Sequence, residues 1–383
     1  MTTGSRSNGN ASGSGSSGGG GSGNGSSGLP AEWLVVNALG NLDNPNAPEA
    51  VAASGQLHRT SRELVVDGRA IGDAHASGLT ALNVTLGYTM GDVEPYSHTL
   101  EEIATWDGII EAHQSELLHV LTSKDLQRAK SEGRIGIIYG FQNAAAVGDR
   151  PERVDIFAQR GVRVVQLTYN GPNQLGSGSM VPDDEGLSPL GHAVVERLNE
   201  RRLMVDLSHS GERTCLQATR ASKQPVSINH TGCGALVDLP RNKTDEELRL
   251  VAESGGFVGV YFMPFLNASG HARAADVVEH IDHAVKVCGE DHVGIGTDGP
   301  VTAIDDLDAY RVRLAEHVAQ RRAAGVGATG ERSDTLPFVI DLRGVSQFAD
   351  LARLLEQRGY GSDRIEKILG RNFLEYARRV WAA

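Results

Sequence analysis

The chain has 383 residues, 40% of them hydrophobic, and a formal net charge of −12. That length suits one large α/β barrel or two ordinary domains, with apolar material enough for an extended core. The acid excess excludes a nucleic-acid-binding surface, and no run of about 20 apolar residues is present to span a bilayer.

Residues 4–28 are almost entirely Gly, Ser and Asn. Such a stretch buries too little apolar surface to offset its chain entropy, so residues 1–28 are expected to be a disordered tail. No basic start, apolar run and small-residue cleavage site opens the sequence, and a cytoplasmic location is expected. Composition turns globular near Gln56, and one domain is predicted over 55–383.

Eight strand candidates follow in chain order: Leu64–Asp67, Ala81–Leu86, Ile135–Gly140, Val162–Thr168, Leu203–Leu207, Pro225–Ile228, Phe257–Tyr261 and His292–Gly296. Several are apolar throughout, as strands covered on both faces should be. Helical patterns lie between them, at Thr99–Glu116, Ser123–Ser131 (Ser123 as N-cap), Glu185–Arg201, Thr244–Glu253 and Ala274–Val287. The alternation predicts a parallel (β/α)₈ TIM-type barrel. A doubly wound open sheet is the rival, disfavoured because no Gly-rich dinucleotide fingerprint follows the first strand. Pro300–Pro337 reads as a long, polar, irregular excursion.

Polar groups close several strand candidates: Gln142, Tyr169 with Asn170, His209, His230 and Asp298. Active sites of this barrel form at the C-terminal ends of the strands. One such residue is ordinarily structural; five on five strands predict a convergent site. Cys215, Cys233 and Cys288 are too dispersed for a disulfide framework or a zinc knuckle. Cys233, three residues after His230, is expected to be structural rather than a thiolate. His280 and His283 are expected on a helix surface, and Asp183-Asp184-Glu185 as a solvated helix start.

Five runs together resemble the membrane (renal) dipeptidase family: Val205-Asp206-Leu207-Ser208-His209, Pro240-Arg241-Asn242-Lys243, Gly255-Gly256-Phe257-Val258-Gly259-Val260, Gly294-Ile295-Gly296-Thr297-Asp298 and Gly370-Arg371-Asn372-Phe373-Leu374. The resemblance implies a metallo-dependent-hydrolase-like (β/α)₈ barrel, a two-zinc centre, and hydrolysis of dipeptides or small amides beside a carboxylate. It places histidine ligands at His209 and His230, the bridging glutamate at Gln142, and a carbonyl-polarising histidine at Tyr169. It places an aspartate acting on the tetrahedral intermediate at Asp298. Arg241 takes the place of the arginine that grips the substrate carboxylate, with Asn170 and Asn242 as neighbouring substrate contacts. The family's first-strand Asp-Gly-His-x-Asp run falls on Asp67-Gly68-Arg69-Ala70-Ile71, which removes both ligands of the first metal; Asp73 and His75 nearby are poor substitutes.

The resulting expectation is a dipeptidase-like hydrolase of a small, carboxylate-bearing amide. It would hold at most one Zn²⁺ or other divalent ion on His209, His230 and Gln142. Asp298 would shuttle the proton, and Tyr169 or Arg69 would stabilise the oxyanion. Arg69 is expected in the barrel mouth, in the neighbourhood of the absent first metal. The alternatives are a metal-independent hydrolase or lyase of a specialised metabolite, and a non-catalytic ligand-binding barrel. The partner is a small molecule, with a homodimer as the assembly considered.

Overall fold

The structure, a computed structural model, describes Met1 and residues 28–53, 63–323, 325 and 327–381. The expected tail falls outside the described residues except for Met1 and Gly28.

Nine strands form one sheet among the described residues: β1 (Val36–Gly40), β2 (Ala81–Thr85), β3 (Leu117–His119), β4 (Ile135–Phe141), β5 (Val162–Gln166), β6 (Met204–Asp206), β7 (Ser227–Thr231), β8 (Phe257–Val260) and β9 (Val293–Ile295). The order is β1-β2-β4-β5-β6-β7-β8-β9, every pair is parallel, and β3 adds to β4. The chain returns from β9 to β1. The Asp298 N–H donates to Leu39 O at 2.9 Å, and the Asn37 amide exchanges two 2.8 Å bonds with Thr297. Eight strands therefore close into the expected (β/α)₈ barrel, with β3 as an addition that the sequence reading lacked.

Seven barrel strands fall on their candidates; the first does not. Leu64–Asp67 is not a strand. It is an extended approach whose Val65 carbonyl accepts from Asn44 N, and it ends at Asp67. The Asp67 carboxylate accepts from Arg69 N and Ala70 N at 3.0 and 2.9 Å, and so caps the helix Gly68–Ala76. Ser, Thr, Asp and Asn are the residues that satisfy a helix's free N–H groups in this way. The true first strand is fully buried but carries Asn37, which breaks its apolar run. The barrel thus starts at Val36, ahead of the expected boundary at 55.

Two further expectations change. Thr122, not Ser123, caps the helix Ser123–Glu132, through a capping box with Asp125. The 300–337 excursion contains a 17-residue helix, Leu307–Ala323. Its only buried side chains are Leu314 and Val318, so arginines and exposed alanines dilute the apolar stripe.

The N-terminal ends of the strands are plugged. Phe373, Tyr376 and Trp381 pack with Val36, Ile138, Val164, Met204 and Phe257. The last helix, Asn372–Val380, is anchored there by Trp381 Nε1–H to Arg163 O at 3.3 Å and Arg379 to Gly255 O at 2.9 Å. Gly370 is required in this plug: a Cβ would lie 2.5 Å from Leu34 O.

Candidate active site

The opposite end of the barrel is open. A cavity of about 510 Å³ lies over the C-terminal ends of the strands, lined among others by Asn41, Asp43, Tyr169, Asn170, His209, Arg241 and Asp298. Helix Leu307–Ala323 forms its outer wall, contributing Tyr310, Arg313, Leu314, His317, Val318 and Arg321. These positions recur at three- and four-residue steps, one face of a helix.

The two histidines meet. His209 Nε2 and His230 Nε2 are 2.9 Å apart, and His209 Nδ1 donates to Asn170 Oδ1 at 2.7 Å. Asn170 therefore fixes the His209 tautomer. Burial, reinforced by the Arg241 charge, holds both imidazoles well below their ordinary range, so both are neutral. The buried His230 Nδ1 has no hydrogen-bond partner. Tyr169 stacks on His209, with ring centres 4.3 Å apart. Its hydroxyl bonds Arg321, whose Nε donates to Glu331 at 2.8 Å.

Asp298 follows β9 and takes φ +60°, a left-handed conformation uncommon for a non-glycine residue. Burial pushes its carboxyl up to about 6, against the opposing charges of Arg241 and Arg321. Arg241 is buried; Nη1 donates to Ser208 O at 2.6 Å, and its guanidinium lies 5.8 Å from the Tyr261 ring centre. Its neighbours in sequence hold the loop in place. Asn242 donates to Val237 O and Phe265 O and accepts from Tyr261, so its amide is committed to loop structure rather than to a ligand. Lys243 reaches Ser210 O and pairs with Glu247 at 2.8 Å, both side chains being 2% exposed.

Arg69 is the main correction. It lies on the helix Gly68–Ala76 with its side chain 41% exposed, and binds both Asp305 oxygens at 2.7 Å. It is not among the cavity residues. Asp67 turned the backbone into a helix before Arg69 could reach the barrel mouth. Gln142 does end β4, but its amide donates to Thr85 Oγ1 at 2.6 Å and does not line the cavity. Cys233 is buried and structural, its N–H bonded to His280 Nδ1 at 2.8 Å. That makes His280 a core residue rather than the expected surface one. Asp184 binds Thr214 and Gly186 N, and the next helix starts only at Pro189, so the acidic run is not a helix start.

Sequence reasoning missed Asn41, Asp43, Arg313 and Arg321. The spacing Gly40-x-x-Asp43 was the available signal for the first pair, and the three–four periodicity of 310–321 for the second.

A sequence model described as membrane dipeptidase, peptidase family M19, matches residues 76–321. The chain belongs to this family. An amidohydrolase from Pseudomonas aeruginosa is 31% identical, with TM-score 0.74 over 92% of this chain and 97% of that one. The dipeptidase tcpJ of Claviceps purpurea is 26% identical over 74% of this chain and 60% of its own length. A metallopeptidase from Rhodobacter sphaeroides, solved with a phosphinate mimic of L-Ala-D-Ala, shares the fold, with TM-score 0.71 and 20% identity over 91% of this chain and 99% of that one. This membrane dipeptidase relative is accordingly a hydrolase of the dipeptidase family. No helix among the described residues is long and apolar enough to cross a membrane.

The side chains present do not complete the family's metal centre. Two imidazole nitrogens converge, but no group of three His, Cys, Asp or Glu suited to a metal exists among the described residues. Catalytic zinc sites ordinarily take three protein ligands and leave a fourth position open. The donor set fits neither a two-metal centre nor a complete single-ion site.

Proposed function

We propose that the protein hydrolyses an amide bond adjacent to a carboxylate, in a small dipeptide-like or N-acyl amino acid substrate, at a site whose metal ligands are cut back from the family's. The observation that carries this reading is the raised Asp298 carboxyl in one cavity with Arg241, His209 and Tyr169. On the true first strand, the family's Asp-Gly-His-x-Asp run falls on Leu39-Gly40-Asn41-Leu42-Asp43. Asp43 then keeps the second ligand position, while Asn41 and Gln142 put neutral amides where a histidine and a glutamate stand in the family. Two side chains able to hold an ion strongly are replaced by neutral amides that are poor at it, and His209 and His230 remain for at most one ion.

The protein's own groups supply the steps. Arg241 binds the substrate carboxylate by charge-assisted hydrogen bonds. Ionised Asp298 removes a proton from the attacking water and returns it to the leaving amine. The Tyr169 hydroxyl, polarised by Arg321, donates to the oxyanion. His209, itself held by Asn170 and His230, fixes the Tyr169 ring by stacking. The metal-independent reading is favoured over a full two-metal mechanism by Gln142, whose amide is already committed to Thr85.

The test is a mass-spectrometric screen of dipeptides and N-acyl amino acids with the wild-type chain and Asp298→Asn. Turnover should appear in the wild type and fall by roughly 10²–10⁴-fold in the variant, the usual share of a general base. Because the base is ionised Asp298, kcat/KM should rise with pH through about 6. An unchanged Asp298→Asn rate, or activity that falls through that pH, overturns the assignment.

A further inference from the structure

The cavity is larger and more positive than a single amide and carboxylate require. Five arginines line it against three acidic residues, in a chain of net charge −12. Arg241 and Arg321 belong to the reacting end. Glu331 is bound by Arg321 and by Ala328 N. Arg332 pairs with Asp334 at 2.5 Å. At the outer end stand Arg313 and Arg343. Arg343 donates to Ile304 O at 3.1 Å, and the nearby Asp305 carboxylate is held by Arg69.

Arg313 differs from the other arginines. Its Nε is buried without a hydrogen-bond partner, and its one described contact is the Tyr310 ring, with the guanidinium 6.0 Å from the centroid. A buried guanidinium nitrogen without a partner is costly to maintain. Tyr310 lies 5.9 Å from Phe338, and Phe338 lies 5.7 Å from the Arg343 guanidinium. The outer end is thus two aromatic rings flanked by two cations, with Leu314 and Val318 between it and Arg321. Arg313 and Arg321 are eight residues apart on one helix face. At 1.5 Å rise per residue that separates them by about 12 Å.

We infer that this outer end is a second anion subsite, and that the substrate carries an acidic group about 12 Å from its reacting amide, joined to it by a flat apolar segment. The anion, a carboxylate or a phosphate-type group, takes the bidentate bonds that Arg313 has free, with Arg343 beside it. The apolar segment lies against Tyr310 and Phe338. Arg241 holds the carboxylate on the amine side, so the distal acid belongs to the acyl side. This orientation rests on the amide-hydrolase reading above.

The test is calorimetric binding to the full chain. The probes are the L-alanine monoamide of biphenyl-dicarboxylic acid, its counterpart with a methyl group for the far carboxylate, and the corresponding phosphonate. An acid-ended probe should bind about tenfold or more tightly than the methyl-ended one, the scale of charged hydrogen bonds. The better acid identifies the anion. That advantage should vanish in Arg313→Gln, shrink in Arg343→Gln and persist in Arg311→Gln, whose side chain is exposed and paired with Asp308. Equal binding of the probes, an advantage that survives Arg313→Gln, or no binding of any probe overturns the subsite. Turnover is read separately, in the mass-spectrometric screen above. Selective binding with no turnover in that screen would keep the subsite and sink the hydrolase reading; turnover there without selective binding here would do the reverse.

Discussion

The two ends of this barrel are built from opposite materials. At the N-terminal ends of the strands, Phe373, Tyr376 and Trp381 fill the opening against inward-facing Val36, Ile138, Val164 and Met204. At the C-terminal ends, the opening is left as a cavity walled by arginines, two imidazoles and a strained aspartate. The plug can be apolar because nothing happens there; each buried ring adds transfer free energy and close packing. The mouth keeps Asp298 in an uncommon backbone conformation and leaves His230 Nδ1 and Arg313 Nε without partners. Those features cost stability, and only the packing elsewhere lets them persist. One end of the barrel supplies the stability that the other end uses.

Substitutions at each end should separate these roles. The largest expected effect is at the plug. Trp381→Ala removes a side chain 2% exposed and should destabilise the fold by about 3–5 kcal/mol. Denaturant unfolding measures this, and the fraction still folded should turn over substrate at the wild-type rate. Next comes the mouth. Arg241→Ala should raise KM by roughly 10–100-fold, the value of charged hydrogen bonds to a carboxylate, with kcat less affected. A drop confined to kcat would mean that Arg241 acts in the transition state instead. The smallest effect is expected at Arg69, on the rim of the mouth but outside the cavity lining. Its pair with Asp305 is 41% and 58% exposed, so Arg69→Ala should cost less than about 1 kcal/mol and leave activity unchanged. Lost activity would reopen a role for it in the mouth.

The same contrast explains what the sequence revealed. Strands such as Ile135–Phe141 are buried along their whole length and read as continuous apolar runs, so the barrel was legible from pattern alone. His209, His230 and Asp298 were legible because they end such strands. The first strand was not, because Asn37 interrupts it to bond Thr297 and close the barrel. Leu64-Val65-Val66-Asp67 offered a more apolar decoy, ending in an Asp-Gly pair like the family's, and the first-strand motif was carried onto it. Arg69 was misplaced by that slip, and Asn41 and Asp43 were overlooked. Arg313 and Arg321 were hidden for a different reason. A helix that walls a polar cavity presents arginines on its inner face, so its sequence lacks the apolar stripe that marks a core helix.

In the proposed reading, the mouth keeps the family's barrel while Asn41 and Gln142 stand where two of its metal ligands would be. Metal analysis per chain, on protein purified without chelators and assayed for turnover in parallel, checks this reading. At most one equivalent of divalent metal is expected. Two equivalents of zinc, both required for turnover, would contradict it.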